Sequence, residues 1–265
     1  MDNAGASVAV DLNAVSFHVA TKGGDELSIV DGMSLRVHTG EFLAIVGPSG
    51  CGKSTILNLI AGLLPVTSGS ITFGARSSAD MRLGYMFQTD ALLPWRSVLD
   101  NVSLGLELQG MPKRERHAQA KSMLCQLGLS AFAQHLTSEL SGGMRQRVAL
   151  ARMWVLNPAL LLMDEPFGAL DAQTRLIVQD LFLSYWEREK STVLLVTHDI
   201  EEAILLADRV VVFSGRPASI KSEHQVSLPR PRNRREMHHL SEFSDLWDRI
   251  WNELRSDAQR ALETV

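Results

Sequence analysis

The chain has 265 residues, 45% of them hydrophobic, with 26 Lys+Arg against 30 Asp+Glu and a formal net charge of −4. That length suits one large domain or a domain with a subdomain, and the slight acidity excludes bulk attraction to nucleic acid or anionic lipid. Two distant cysteines, Cys51 and Cys125, exclude a disulfide framework and a zinc site and fit a reducing compartment. The start, Met-Asp-Asn-Ala-Gly, lacks the basic and apolar stretches of a signal peptide. The most apolar runs, 159–163, 193–196 and 210–213, fall far short of a membrane helix of roughly 20 residues. The expected place is cytoplasmic, with any membrane contact made through a partner.

In chain order, residues 8–19 alternate apolar and polar like a half-buried strand, and Gly23-Gly24 within Thr21–Glu26 reads as a hairpin turn. Strands are expected at Met33–Val37 and Glu41–Val46, then a glycine-rich loop and a helix from Lys53 to Leu63 closed by Gly62 and Pro65. Short strands follow at Ser70–Phe73 and Arg82–Phe87. Helical spacing then dominates Val98–Leu108, Lys113–Leu127 and Gly143–Leu156, so residues of about 89–157 read as an inserted helical subdomain. Strands return at Leu160–Met163, Thr192–Val196 and Arg209–Phe213, with helices at Ala172–Glu189 and Ile200–Ala207 between them. Such alternation predicts a mainly parallel sheet covered on both faces. Beyond residue 228 a basic, proline-broken run, Pro229–Arg235, reads as a solvated linker. It leads into an amphipathic helix whose apolar face carries Leu240, Phe243, Leu246, Trp247, Ile250, Trp251 and Leu254. The packing partner of that face is left open, in this domain or in another protein.

Gly47-Pro48-Ser49-Gly50-Cys51-Gly52-Lys53-Ser54 fits G-x-x-x-x-G-K-[ST] and lies between an expected strand and helix, the context that identifies a P-loop. Its glycines let several N–H groups converge on one anion, and the helix N-terminus, reaching Thr55, adds partial positive charge. Lys53 suits the outer phosphates of a nucleoside triphosphate, and the Ser54 hydroxyl suits its magnesium. Asp164-Glu165 end an apolar strand, where open α/β sheets bind ligands. Asp164 is expected to hold Mg2+ and Glu165 to polarise the attacking water. His198 leaves Thr192–Val196 in the same way and is assigned to the terminal phosphate. Gln88, after Phe87, is a candidate for metal or water. Ser141-Gly142-Gly143 opens a helix, either as a plain serine N-cap or as a second phosphate grip. Cys51 is either a free position of the motif or a thiol with a lowered pKa, and Cys125 is expected in the core.

Together these segments resemble the nucleotide-binding subunit of ATP-binding-cassette transporters. The resemblance runs from about residue 8 to about 235, in family order: P-loop, Gln88, Leu140-Ser141-Gly142-Gly143 with Gln146-Arg147, Asp164-Glu165, Ala169-Leu170-Asp171 and His198. It implies an α/β P-loop NTPase core of RecA type, an N-terminal antiparallel β subdomain and the inserted helical subdomain, over residues 1–228. It also implies ATP and Mg2+ as ligands, with ATP hydrolysis. Two copies would pair head to tail, so that Ser141, Gly142 and Gly143 bind the nucleotide of the partner copy. Ala169-Leu170-Asp171 looks like the loop that contacts the opposite subunit.

Phe87-Gln88-Thr89-Asp90-Ala91-Leu92-Leu93-Pro94-Trp95 with Asn101-Val102, Pro166-Phe167-Gly168, Ser214-Gly215-Arg216-Pro217 and Leu228-Pro229-Arg230-Pro231-Arg232 is similar to importers of nitrate, taurine, alkanesulfonates and bicarbonate. That likeness implies integral-membrane permease subunits, a periplasmic solute-binding protein, no nucleic acid, and a peripheral place on the cytoplasmic face of the inner membrane. Trp95 is assigned either to the permease groove or to plain packing. The aromatic that stacks on adenine in the family is missing at Val19. Either Phe17 replaces it or apolar contact alone holds the base, and weak base selectivity is expected. The alternatives are the ATPase of an exporter or a soluble cassette protein outside transport, both of which share these motifs.

Overall fold

Val8–Ala20 (β1) and Glu26–His38 (β2) place apolar side chains on one face and pair antiparallel through the turn after Thr21, whose N–H donates to the Asp25 carbonyl at 2.8 Å. The computed structural model describes residues 7–21, 24–74 and 82–263, the last eight as backbone only, so Gly23 of the expected turn lies outside the described residues. The chain continues through β3 (Phe42–Val46), α1 (Lys53–Ile60), β4 (Ser68–Thr72), β5 (Leu83–Met86), α2 (Val98–Val102), α3 (Leu104–Leu108), α4 (Lys113–Gln126), α5 (Gly142–Trp154) and β6 (Leu160–Asp164). Then come α6 (Ala172–Glu189), β7 (Thr192–Val196), α7 (Ile200–Leu206), β8 (Arg209–Phe213), β9 (Ile220–Gln225), α8 (Arg234–Met237) and α9 (Ser241–Glu263). The expected helix over Val98–Leu108 is two helices that meet at Ser103, which is fully buried.

Two compact units divide the chain, one of residues 1–81 with 190–265 and one of residues 82–189. In the first, β1 pairs antiparallel with β2 and with β4. The strands β3, β7 and β8 are buried along their whole length, as continuous apolar runs must be in a sheet covered on both sides. β3 runs parallel to both β7 and β8, and β9 adds to β8 antiparallel. β9 has almost no apolar signal in its sequence: Ile-Lys-Ser-Glu-His-Gln alternates half-buried with exposed positions. In the second unit β5 and β6 pair parallel, Leu83 opposite Leu160 through Met86 opposite Met163. Around them lie α2 to α6, with Trp154 stacked on Phe182 and Tyr185 at ring-centroid distances of 5.5 and 4.1 Å.

The C-terminal part departs from the expected solvated linker. Arg232 is buried and its Nη1 donates to the carbonyls of Ile204, Leu205 and Ala207 at 3.0, 3.1 and 2.6 Å, while Nη2 reaches Val226 and Leu228. Arg230 pairs with Asp208 at 2.7 Å and donates to the Leu206 carbonyl at 2.7 Å. Two arginines thus satisfy the carbonyls that the end of α7 leaves without intrahelical partners, and they complement its negative pole. α9 then packs on α7 and β8 through Phe243, Leu246 and Ile250, which settles its partner as this same unit. Trp247 and Trp251 stack on one another at 5.4 Å, with Trp251 largely outside.

Removing a buried guanidinium strands every carbonyl it served, so Arg232→Ala should lower unfolding stability by about 2–4 kcal/mol in urea titrations. Arg235→Ala, on an exposed side chain, should stay within about 0.5 kcal/mol of the parent. Equal losses for the two would contradict the clamp.

Candidate functional site

In the first unit, parallel register decides where the chain leaves the sheet. Ile45 lies opposite Val196 and Val46 opposite Val212, so β3, β7 and β8 end at one edge. Gly47–Ser54, Thr197-His198 and Ser214–Arg216 all issue from that edge. The Thr197 N–H donates to the Ile45 carbonyl at 3.1 Å and ties the exit of β7 to β3.

Gly47–Ser54 folds as a tight loop opening directly into α1. Gly52 precedes the helix at φ +113°, where an L side chain is strained, and a Cβ there would meet Ile29 and Ala218 at 3.3 Å. A Cβ on Gly47 would sit 3.0 Å from the Cβ of Phe213. The loop is therefore walled by β2 and by the segment after β8. Lys53 is buried, and its Nζ donates to the carbonyls of Gly47 and Pro48 at 2.8 and 2.9 Å. Its charge sits inside the curl, where a phosphate would be met. Arg216, noted before only as part of a resemblance, donates from Nη2 to the Gly50 carbonyl at 2.8 Å. Nothing in the sequence announces that bond, because its acceptor is backbone.

His198 is exposed, and the Asp199 carboxylate accepts from the Glu202 N–H at 3.1 Å to start α7. Thr197 is buried and donates its hydroxyl to the Glu202 carboxylate, fixing the root of the histidine. Phe17 is half-buried on β1 opposite Val30, which bridges to Ala218 beside Gly52. The proposed base platform thus belongs to the same ribbon that walls the loop. Cys51 is buried, and burial pushes its thiol up despite the opposing pull of Lys53. The lowered-pKa alternative is overturned. Cys125, expected in the core, is exposed on α4.

In the second unit the parallel register of β5 and β6 carries Gln88 and Glu165 out together, and the Gln88 amide donates to the Glu165 carboxylate at 3.3 Å. Asp164 is buried at the end of β6. Burial, followed by the Asp164 charge, raises the Tyr85 phenol well above its usual range. Glu165 has φ +45°, a left-handed backbone that costs a non-glycine residue roughly 1–3 kcal/mol and that tends to persist where function requires it. Asp171, two residues beyond Ala169, accepts from the Thr174 N–H at 3.0 Å, which holds its carboxyl below the usual carboxylate range.

Ser141 caps α5, its hydroxyl accepting from the Met144 N–H at 3.3 Å. The cap and the anion grip are compatible, since Gly142 and Gly143 follow in the first turn of a helix of 13 residues. A Cβ on Gly143 would overlap the Thr174 methyl, so a larger residue there would force the Thr174 side chain to move. Gln146 of the same helix is buried and donates to the Pro166 carbonyl, next to Glu165.

Each unit by itself carries donors that suit Mg2+: the Ser54 hydroxyl in the first, and the Asp164 carboxylate and Gln88 amide oxygen in the second, are hard oxygen ligands. Among the described residues no group of three or more His, Cys, Asp or Glu is placed to hold a metal unaided. Phosphate oxygens would have to complete the shell, as a nucleotide-borne magnesium requires.

Trp95 is 73% exposed, which removes the packing alternative for it. Within the second unit a cleft of about 190 Å³ is lined by Tyr85, Phe87, Asp90, Leu108, Arg152 and Leu156. A maleimide applied to the native chain should modify Cys125 at least about tenfold faster than the buried, poorly ionised Cys51, read by peptide mass spectrometry. Comparable rates would show that the P-loop thiol is open to solvent.

A family model described as "ABC transporter" matches residues 30–168. The aliphatic sulfonates import ATP-binding protein SsuB of Cupriavidus necator is 49% identical over 228 residues, covering 83% of this chain and 72% of that protein. The taurine import ATP-binding protein TauB of Rhizobium johnstonii is 45% identical over 225 residues, covering 83% of this chain and 84% of that protein. Among solved structures, the dimeric post-hydrolysis state of the ATP-binding cassette MJ0796, bound to ADP and Pi, superposes with a TM-score of 0.73 at 31% identity, over 83% of this chain and all of that one.

Proposed function

Because the chain belongs to the ABC transporter family, we propose that it is the ATP-hydrolysing subunit of an importer for taurine or related sulfonates. The observation that carries this reading is the folded P-loop, with Lys53 inside it and the helix α1 behind it, in a chain so similar to two import ATP-binding subunits. No described helix is long and apolar enough to cross a membrane, which fits a subunit that lies peripherally on permease partners. The cleft beside Phe87 and Leu108, with Trp95 exposed nearby in sequence, is the surface we assign to a permease helix. A periplasmic solute-binding protein completes the assembly and selects the solute.

In this mechanism the N–H groups of Gly47–Thr55 and the Lys53 ammonium bind the β- and γ-phosphates of ATP. Ser54, Asp164 and Gln88 would hold Mg2+, which supplies charge neutralisation at the phosphates. Glu165 orients the attacking water and accepts its proton; the strained backbone at this residue and the Gln88 amide fix its carboxylate. His198, rooted by Thr197, contacts the terminal phosphate and holds the water in line. Phe17 supports the base. Ser141, Gly142 and Gly143 bind the nucleotide held by a second copy, so closure of the pair depends on ATP and reopening on hydrolysis. The dimeric form of the similar cassette supports that arrangement.

Glu165→Gln should retain ATP and accumulate a dimer, seen by size-exclusion chromatography with ATP and lost with ADP. A chain that stays monomeric with ATP would remove Glu165 from the base position. His198→Ala should bind ATP normally but turn over at least about tenfold more slowly, as loss of a group that positions the attacking water requires. Wild-type turnover would take His198 out of the site.

A further inference from the structure

The helix α5 begins at the family's signature segment, Leu140-Ser141-Gly142-Gly143, and also grips the bend that follows Gln88. Arg145 and Arg152 lie seven residues apart and so share one face of the helix. Arg152 Nη2 donates to the Asp90 carbonyl at 2.8 Å and Nη1 to the Ala91 carbonyl at 2.7 Å. Ala91 has φ +46°, so the bend is held in a conformation that it would not choose unaided. Arg145 Nε donates to Asp90 Oδ2 at 3.0 Å, and the same guanidinium donates from Nη1 to the Leu140 carbonyl at 2.9 Å. The other Asp90 oxygen accepts from the Leu92 N–H at 3.3 Å, which closes the bend on itself.

One rigid, planar group therefore spans from the bend to the residue immediately before Ser141. Asp90 and Arg152 also line the cleft of the second unit, so Arg145 links a residue of the cleft wall, Asp90, to Leu140 at the start of the signature.

We propose that Asp90 and Arg145 are positioning residues for ATP-driven pairing: Arg145, oriented by Asp90, holds Leu140 and thereby aims the Ser141–Gly143 N–H groups at the partner copy's nucleotide. This rests on the paired-cassette reading above. Any occupant of the cleft that displaces Asp90 then changes how the signature is presented, and by linkage pairing around ATP changes the affinity of the cleft.

The test uses the full chain in the Glu165→Gln background and reads the ATP concentration for half-maximal dimer formation by light scattering. Binding of a fluorescent ATP analogue to the dilute, unpaired chain is read in parallel. Asp90→Ala should raise the pairing midpoint about threefold to fivefold, as loss of a partly exposed ion pair allows. Arg145→Ala, which loses both arms, should raise it further. The double variant should be no worse than Arg145→Ala alone, because Asp90 acts through that arginine. Affinity of the unpaired chain for the analogue and the thermal midpoint should stay at parent values in Asp90→Ala.

An unmoved pairing midpoint, additive losses in the double variant, or an equal loss of affinity in the unpaired chain would each overturn the proposal. Absence of any ATP-dependent dimer in Glu165→Gln alone would instead overturn the paired-cassette reading, and this inference with it.

Discussion

Parallel register between β3 and its two neighbours is the constraint on which the first unit depends. β3, β7 and β8 are five-residue runs buried end to end, and each buried aliphatic side chain contributes roughly 1.5–3 kcal/mol. A slip of one residue would still bury apolar groups, since every position is apolar or paired. What fixes the register is the set of bonds at the ends: Phe42 N–H to the Asp208 carboxylate at 3.0 Å, Thr197 N–H to Ile45, and Arg209 clamped by Glu41 and Glu223 at 2.7 and 2.5 Å. Those polar ends determine that the P-loop, His198 and Arg216 emerge together. The chemistry is thus positioned by the few polar residues that the strands carry, while the apolar ones supply the stability.

The helix α5 plays the corresponding part in the second unit. Its first turn presents Ser141–Gly143, its second sends Arg145 to Asp90 and Gln146 to Pro166, and its last sends Arg152 to the bend again. Each contact ends on a loop to which the mechanism assigns a task. The glycine at 143 is buried and packs directly against Thr174.

Most of the strand and helix pattern was legible because strand–loop–helix motifs announce themselves by contiguous residues. Gly47–Ser54, Leu160–Glu165 and Leu140–Gly143 each need only local spacing to be recognised. The missed features share a different property: their partners are backbone carbonyls. Arg216 on Gly50, Arg230 on Leu206 and Arg232 on the end of α7 leave no trace in a sequence, since every residue carries the acceptor. Pro229–Arg235 reads as a linker for the same reason, since the acceptors of its buried arginine are carbonyls. Cys125 was misplaced for another reason: α4 buries little beyond Ala120, Met123 and Leu124, and a thiol one position from that stripe faces out.

Lys53 gives the P-loop a further property. Its ammonium is hydrogen-bonded to two carbonyls of the loop that it serves, and Arg216 holds a third from outside. Arrival of a triphosphate is then an exchange of acceptors at Nζ rather than the capture of an anion by a bare cation. Exchange yields only the difference between two sets of bonds. A phosphate at Nζ replaces neutral acceptors by a charged one, and further phosphates along the curl would accept from the N–H groups of the loop itself. The lysine thus holds the curl of its own backbone in shape before any phosphate enters.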